Sequence, residues 1–329
     1  MAQIKDVAKQ AGVSVASVSR VLAGHTGVTD VTRQKVLDAV QALGYRPDLA
    51  ARRLRSRRTD TIGLIVSDIR NPFFTEVSRA VEDRAYQHGM RVILGNADED
   101  PQKEALYLDL MRDENVSGVI LSPTLPTLAR FRMHDYPFPV VLVDRCERET
   151  VADAVVLDNA DAACRLTAHL VEQGYRRIAF IYGAASATGR QRQEGYMTAM
   201  AAQGLETLAK GVPATADAAR TAARELLQGP LLPDALVGSN GLILLGLVEA
   251  LREAQLVFPE QMGLAGFDDL PWTGLVGPGI TVIAQPTYDI GQAAIELLLQ
   301  HIAHPSQSVR RVVLRGELRE RGSSGRRMV

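Results

Sequence analysis

Polar side chains follow several apolar runs of this 329-residue chain, and they are of the kinds that hold a small polyhydroxylated molecule. Carboxylate and amide groups exchange hydrogen bonds with vicinal hydroxyls, a guanidinium donates two parallel bonds, and an aromatic ring covers an apolar ring face. Four such places stand out: 68–74 (DIRNPFF), Asp144-Arg145, Gly189-Arg190, and Ser239-Asn240 together with 267–269 (FDD). These residue types indicate a binding site for a small polyol.

The same residues also have ordinary structural interpretations, which the sequence leaves open. Aspartates that follow strands, such as Asp144 and Asp268, often cap the next helix. Phe73 and Phe74 could both belong to a hydrophobic core, and Arg190 could form a structural salt bridge at a helix start. Each candidate therefore has a binding role and a packing role that only a structure can separate.

The elements that would position these side chains alternate between strands and helices from residue 61 onward, which is typical of parallel α/β structure. The predicted strands are 61–69, 90–96, 116–123, 139–144, 176–183, 234–239 and 261–269. The predicted helices begin near Phe73, Pro101 and Leu125 or cover 161–173, 190–203, 216–228 and 241–254. Since no low-complexity linker separates the two series, we expect two similar lobes joined by more than one crossing. Ligands of such folds bind beyond the carboxyl ends of the strands.

The N-terminal segment 4–22 (IKDVAKQAGVSVASVSRVL) has a different period and predicts two short helices around a turn. Gly12 breaks the first helix, and the Ser14 hydroxyl can cap the second. The first helix has an apolar stripe of Ile4, Val7, Ala8 and Ala11, and the second turns Val18, Val21 and Leu22 toward it. The outward face of the second helix would then carry Val15, Ala16, Ser17, Ser19 and Arg20. Small and hydroxyl side chains beside an arginine suit entry into a DNA major groove.

A third helix and an arginine-rich segment follow. Thr29 is the predicted cap of this helix, Gly44 its predicted end, and its predicted apolar residues are Val36, Leu37, Val40 and Leu43. Residues 45–59 (YRPDLAARRLRSRRT) follow, in which a small apolar face lies among the five arginines at 52, 53, 55, 57 and 58. This segment has nothing of its own to bury.

These motifs, namely IKDVA, AGVS, SVSRVL, GYRP and the AxxL of the arginine-rich segment, resemble the LacI/GalR family of bacterial transcription regulators, ribose-repressor-like members included. The resemblance implies that Val15, Ala16, Ser17 and Arg20 lie in the major groove, and Ser14 and Ser19 are the other DNA-binding residues predicted in the head. It also implies that the hinge contacts DNA through Ala51, Leu54 and Arg55, with Leu54 wedged into the minor groove. Matched onto the family's ligand pocket, the effector-binding residues would be Phe73, Phe74, Asp144, Arg190, Asn240 and Asp268. One departure lies beside this set, since the family often has Asp where this chain has Gly241.

The resemblance also implies the domain organisation. An all-α helix-turn-helix head would cover 1–46, a hinge helix and linker 47–60, and an α/β core 61–329. The core would have two Rossmann-like lobes with parallel sheets, as in periplasmic binding proteins. Lobe 1 would comprise about 61–160 and 291–322, and lobe 2 about 161–290. The chain would return to lobe 1 near residue 290, where a helix and the strand 310–318 (RRVVLRGEL) complete it.

The charge distribution fits this division. Residues 1–58 contain 11 Lys and Arg against 4 Asp and Glu, whereas the remainder contains 26 against 34. A basic head favours release of counterions from DNA, and an acidic body avoids the polyanion. Neither a signal peptide nor a stretch of about 20 apolar residues is evident, so we expect a cytoplasmic protein with no membrane partner.

The sequence offers little for catalysis or metal binding. No GxGxxG follows the first predicted strand, and no Walker lysine, GxSxG or metal-ligand pair occurs. Cys146 and Cys164 lack metal-ligand spacing. We therefore expect no enzyme, no cofactor and no metal.

The predicted function is a homodimeric repressor of a carbohydrate-use operon that occupies a palindromic DNA operator. A pentose or other monosaccharide bound between the lobes would release it. One alternative is a regulator that needs a purine-type co-repressor, and a second is a sugar-binding protein with no DNA role.

Overall fold

A computed structural model describes residues 2–22, 27–45, 59–147 and 149–325. The chain divides into two compact units, the first over residues 1–59 and the second over 60–329. The predicted hinge helix, with Ala51, Leu54 and Arg55, lies outside the described residues.

Three helices form the N-terminal unit, as the apolar spacing predicts. They are α1 (Ile4–Ala11), α2 (Val15–Leu22) and α3 (Asp30–Ala42). Val7, Val18 and Val36 are fully buried in the core that the helices share. Gly12 ends α1 with a φ of 65°, a left-handed backbone that allows a sharp turn into α2.

The predicted caps of α2 and α3 are present. Ser14 Oγ accepts a hydrogen bond from the Ser17 N–H at 3.1 Å, and Thr29 Oγ1 accepts one from the Thr32 N–H at 3.4 Å. Each bond supplies a partner to an N–H group that the first helical turn leaves unpaired. The starts of both helices are therefore predicted correctly from the sequence.

The predicted apolar stripe of α3 needs one correction. Leu37 is 45% exposed, whereas Val36 and Ala39 are buried. Adjacent helical residues point about 100° apart, so Val36 and Leu37 cannot both face the core of such a short bundle. Ala39, three residues after Val36, takes the buried position instead.

Lobe 1 of the second unit is built on a parallel sheet in the order β11-β5-β4-β3-β1-β2. Its strands are β1 (Thr61–Val66), β2 (Arg91–Asn96), β3 (Val119–Leu121), β4 (Val140–Val143), β5 (Asp153–Leu157) and β11 (Arg311–Leu314). Every residue of β1 and β5 is buried, because helices cover both faces of a parallel sheet. The apolar runs predict β1 to β4 but miss β5.

Lobe 2 repeats this plan with the order β12-β10-β9-β8-β6-β7. Its strands are β6 (Ile178–Gly183), β7 (Leu208–Val212), β8 (Ala235–Gly238), β9 (Gly263–Phe267), β10 (Thr281–Ala284) and β12 (Glu317–Arg319). β12 runs antiparallel to β10, and the other pairs are parallel. The predicted strands correspond to β6, β8 and β9, whereas β7, β10 and the separate β12 are missed.

Helices cover the faces of both sheets. Lobe 1 has α4 (Pro72–Gln87), α5 (Pro101–Asp113), α6 (Leu125–Arg130) and α11 (Thr287–Ala303). Lobe 2 has α7 (Asn159–Glu172), α8 (Ala187–Ala202), α9 (Ala216–Gln228) and α10 (Gly241–Glu253). None of the helices in the described ranges is long and apolar enough to cross a bilayer.

The chain passes between the lobes three times, from β5 to α7, from β10 to α11 and from β11 to β12. The third crossing corrects the prediction of one strand over 310–318. Residues Arg311–Leu314 pair with β5 in lobe 1, whereas Glu317–Arg319 pair with β10 in lobe 2. Gly316 allows the change of sheet, since a Cβ at this position would lie 2.6 Å from Ile283 Cγ2. The predicted end of lobe 1 at residue 322 is therefore too late.

Candidate functional site

A cavity of about 240 Å³ lies between the two lobes. Residues that follow β1, β2 and β4 form its lobe 1 wall, and residues that follow β6, β8 and β9 form its lobe 2 wall. The carboxyl ends of both sheets therefore meet at one place, as expected for folds of this type. The volume is below the range of about 300–1,000 Å³ that holds drug-sized ligands, so the cavity suits a small molecule.

Five of the six predicted effector residues line this cavity: Phe73, Phe74, Asp144, Asn240 and Asp268. They come from four separate elements spread over nearly 200 positions of the sequence. Their convergence comes from the topology, since each follows a strand or begins a helix at the same edge of a sheet.

Phe73 and Phe74 stand at the start of α4, where Asn71 caps the helix by accepting a hydrogen bond from the Phe73 N–H at 3.2 Å. Their rings meet edge to face with centroids 4.9 Å apart. Both are buried in the apolar core of lobe 1, and both also line the cavity. The packing role is therefore present, and the position of both rings at the cavity leaves their binding role as a prediction.

Asp144 and Asp268 occupy equivalent places in the two lobes, directly after β4 and β9. Their φ angles are 68° and 73°, in the left-handed region that residues other than glycine rarely adopt. Such strained positions concentrate at functional sites, where the surrounding structure holds them. The strain orients both carboxylates at the edge of the sheet where the cavity lies.

Asp268 is held by uncharged donors. Its Oδ2 accepts a hydrogen bond from the Gly241 N–H at 2.8 Å, and its Oδ1 accepts one from Gln285 Nε2 at 2.6 Å. A Cβ at position 241 would lie 2.7 Å from Leu270 Cδ1. An aspartate at position 241 would have the same N–H, so the departure from the family pattern at Gly241 removes a carboxylate beside Asp268 and does not create this bond.

Asn240 is both a helix cap and a cavity residue. Its Oδ1 accepts a hydrogen bond from the Ile243 N–H at 2.8 Å, which caps α10. The cap engages its side-chain oxygen, and the residue also lines the cavity.

Arg190 is the predicted effector residue that the structure does not place at the cavity. Its side chain is exposed, and its Nε donates a long hydrogen bond to Ala184 O at 3.4 Å. Arg192 lines the cavity instead and is only 3% exposed. Two residues along a helix correspond to a rotation of about 200°, so Arg190 and Arg192 lie on nearly opposite sides of α8.

The Arg192 guanidinium is fixed by three contacts. It lies over the Phe267 ring, 4.1 Å from the centroid, its Nε donates to Asn159 Oδ1 at 2.8 Å, and one Nη donates to Ser239 O at 2.5 Å. Burial lowers the pKa of Arg192, although Asp268 and Asp144 partly oppose this. The buried face of α8 was detectable in the sequence, because Gly189, Arg192 and Gly195 recur every three residues.

Arg145 is the second guanidinium that the predicted set lacks. Its Nη1 donates to Glu99 Oε2 at 2.7 Å, and its Nη2 donates to Glu99 Oε1. Burial alone would lower the pKa of Arg145, but the bonds and the charge of Glu99 raise it overall. Burial raises the pKa of the neighbouring Asp144 carboxyl, and the charges of Arg145 and Arg192 act against that rise.

The five residues predicted to face outward on α2 differ in exposure, and their contact with DNA stays a prediction. Val15, Ala16 and Arg20 are exposed, and Ser17 and Ser19 are half-buried. The Ser14 hydroxyl accepts the hydrogen bond that caps the helix. The face is therefore a continuous surface of small, hydroxyl and basic side chains.

Over 2–22, 27–45, 59–147 and 149–325, no three His, Cys, Asp or Glu side chains are placed to hold a metal ion. Cys146 is buried and Cys164 is half-buried, and both are free thiols. The described residues therefore offer the cavity and the α2 face as candidate sites.

Two family descriptions match the chain. Residues 3–48 match the bacterial regulatory proteins of the lacI family, and residues 59–319 match the periplasmic binding proteins and sugar binding domain of the LacI family. The ribose operon repressor of Escherichia coli K12 is 33% identical over 98% of this chain and 100% of its own length. The transcriptional regulator PtxS of Pseudomonas aeruginosa is 36% identical over 98% of this chain and 95% of its own length.

Solved structures show the same fold. A LacI family regulator from Enterococcus faecium with bound ribose has a TM-score of 0.72 at 26% identity, covering 81% of this chain and 99% of that one. The lac repressor dimer bound to operator has a TM-score of 0.89 at 23% identity, covering 98% and 99%. The head, the two-lobed core and the sequence matches over both lead to one conclusion: the chain belongs to the LacI family of bacterial regulatory proteins.

Proposed function

We propose that this protein is a repressor of a carbohydrate-use operon that leaves a palindromic operator when a pentose or related monosaccharide binds between its lobes. The observation that carries the proposal is the cavity itself, which Asp144, Arg192 and Asp268 line together with Phe73 and Phe74. Carboxylates accept hydrogen bonds from sugar hydroxyls, and a guanidinium donates to ring and hydroxyl oxygens.

The relatives support a sugar of this size. One is named a ribose operon repressor, and one of the similar structures contains ribose. The volume of about 240 Å³ also favours a monosaccharide over a longer saccharide.

The head supports a role on DNA. The exposed face of α2 would enter the major groove, and the excess of basic residues over 1–58 would neutralise phosphates. Leu54 would kink the operator from the minor groove, as the family resemblance implies. An isolated hinge segment is too short to be a stable helix in water, so the hinges would fold on DNA.

Exposed apolar side chains in lobe 1 support a homodimer. Leu106 and Leu110 lie one turn apart on α5 and are 67% and 39% exposed, and Leu94 of the neighbouring edge strand β2 is 46% exposed. A second copy covering this face would bury all three. Leu106→Glu should then shift the mass measured by light scattering from dimer toward monomer.

We propose binding and not catalysis for the cavity. Its two strained carboxylates are engaged in holding Gln285, the Gly241 N–H and the charge of Arg145. This arrangement supports a fixed receptor for hydroxyl groups.

The proposal is tested with the full-length protein in two steps. A thermal-shift screen against pentoses, hexoses, sugar acids, sugar phosphates and purines identifies the ligand, since a ligand at 100 times its Kd stabilises the fold by about 2.7 kcal/mol. Fluorescence anisotropy on an operator selected from random duplexes then gives the direction of the response. Release by a monosaccharide is the expected result. Tightening by a purine would instead support the co-repressor alternative.

A further inference from the structure

One arginine of the lobe 1 wall is already hydrogen-bonded to a carboxylate of the protein. Arg145 is 4% exposed, and its two terminal nitrogens donate to the two oxygens of Glu99, at 2.7 Å for the Nη1 to Oε2 pair. Nη1 also donates to Pro123 O at 3.3 Å. This bidentate geometry is the one with which a guanidinium holds a ligand carboxylate or phosphate. Glu99 therefore takes the donors that an anionic ligand group would need.

The backbone holds Glu99 in this place. Asp98 and Glu99 have φ angles of 50° and 58°, so two successive residues adopt the left-handed conformation in a tight turn after β2. The Glu99 N–H donates to Ser67 O at 2.9 Å, and the Asp98 carboxylate accepts from Asn96 Nδ2 at 2.8 Å. Because the turn is tied to β1 and β2, the Glu99 carboxylate is built into the cavity wall.

The other arginines of the cavity also face carboxylates. The Arg70 Nε and Nη2 each donate to Asp68 at 2.9 Å, and Arg192 lies within the fields of Asp144 and Asp268. Among the described lining residues, five carboxylates stand against three guanidiniums. An anion that entered would meet an excess of negative charge in a partly buried site, where charges interact more strongly than in water.

We propose that Glu99 determines ligand specificity: by occupying Arg145, it makes the cavity accept an uncharged aldose and reject the matching sugar acid or sugar phosphate. The assignment rests on the proposed function as a sugar receptor. It makes Glu99 a positioning residue, since its effect passes through Arg145. The hydroxyl groups of an aldose can still form hydrogen bonds with the lobe 1 wall without displacing the Glu99 carboxylate.

The test compares matched ligands that differ by one carboxylate. Isothermal titration of the full-length protein measures Kd for D-ribose, D-xylose and L-arabinose and for the aldonate of each. The wild type should bind at least one aldose and its aldonate at least tenfold more weakly. Glu99→Gln removes one negative charge and leaves Arg145 a single accepting oxygen in place of two, so an anionic ligand group can compete for the guanidinium. The preference should then move toward the aldonate by about tenfold to a hundredfold, the range of a hydrogen bond to a charged group.

Three variants separate this role from a structural one. Asp113→Asn removes a carboxylate from the exposed end of α5, away from the cavity, and should leave the preference unchanged. Glu99→Asp keeps the charge and should keep the rejection of aldonates. Adding Arg145→Gln to Glu99→Gln should abolish the gained aldonate binding. A defect of folding would weaken both ligands together, whereas the assignment predicts a change in their ratio.

Two results would overturn the assignment while leaving the sugar receptor intact: wild-type protein that binds the aldonate as tightly as the aldose, or Glu99→Gln with an unchanged ratio. The first needs no variant and so does not depend on whether Glu99→Gln folds. Failure of the wild type to bind any aldose is a different outcome, and it would remove the proposed function together with this assignment.

Discussion

The two walls of the cavity hold their charges in different ways. On the lobe 2 wall, Arg192 and Asp268 bond to uncharged groups, namely the side chains of Asn159 and Gln285 and two backbone groups. On the lobe 1 wall, Arg145 bonds to Glu99. Arg192 and Asp268 also lie in each other's field, but these hydrogen bonds join them to uncharged groups, whereas the bidentate pair of Arg145 and Glu99 largely cancels its own field. If the cavity binds a sugar as proposed, we expect lobe 2 to supply most of the affinity and lobe 1 most of the selectivity.

Asn159 and Gln285 add a second difference, because both stand where the chain crosses between lobes. Asn159 begins α7 after the first crossing, and Gln285 follows β10 at the second. The lobe 2 charges are thus bonded directly to the connecting segments. Ligand contact with Arg192 or Asp268 would reach a connection between the lobes through one hydrogen bond.

The largest expected effect comes from removing the lobe 2 cation. Arg192→Met should weaken sugar binding by about 2–5 kcal/mol, or at least thirtyfold in Kd, because Asp144 and Asp268 would lose their shared cation. Isothermal titration measures the change, and operator binding without sugar controls for folding. Unaltered sugar affinity would show that the charge of lobe 2 does not drive binding.

A smaller effect on sugar binding is expected for Asp268, the carboxylate of the lobe 2 wall. Asp268→Asn keeps the shape but loses the carboxylate that accepts from Gly241 and Gln285. Sugar Kd should rise about tenfold to a hundredfold, the range for hydrogen bonds to a charged group. If Asp144→Asn, measured beside it, had the larger effect, the ranking of the two walls would be reversed.

Asp144, on the lobe 1 wall, should instead affect how the stability of the fold depends on pH. Burial raises the pKa of Asp144 above its ordinary 3.8, so the folded state holds this proton more tightly than the unfolded chain. The contribution of Asp144 to stability is therefore greatest below the unfolded pKa and falls as pH rises toward the folded pKa. Asp144→Asn should raise Tm at pH 7 relative to the wild type, with a smaller difference at pH 4. An equal difference at both pH values would exclude titration of this carboxyl as the cause.

The smallest effect is expected at Arg190. Its exposed side chain lies outside the cavity, so Arg190→Ala should change stability by no more than about 0.5 kcal/mol and leave sugar Kd within a factor of about two. The variant is the matched control for Arg192→Met, because both remove an arginine from α8. A large loss of sugar affinity in Arg190→Ala would instead support Arg190 as an effector-binding residue, as the sequence predicts.

The sequence predicts Asp144, Asn240 and Asp268 because strand ends can be located from apolar runs, and parallel strands bring their carboxyl ends together. It selects Arg190 instead of Arg192 because α8 begins at Ala187, three residues before the predicted start. A small error in the position of a residue along a helix reverses the side on which its side chain lies. Glu99 could not be predicted, since its pairing with Arg145 spans 46 positions and depends on a turn with two left-handed residues. The change of sheet after Leu314 likewise depends on tertiary contacts at Gly316.

The central claim is that a sugar in the cavity controls DNA binding, and operator anisotropy with wild-type protein and Arg192→Met tests it most directly. Without sugar, both proteins should bind the operator equally. A saturating aldose should weaken operator binding by the wild type about 5-fold to 150-fold, the range of typical allosteric couplings, and leave Arg192→Met bound. Wild-type affinity that does not change with sugar, or equal release of both proteins, would contradict the claim.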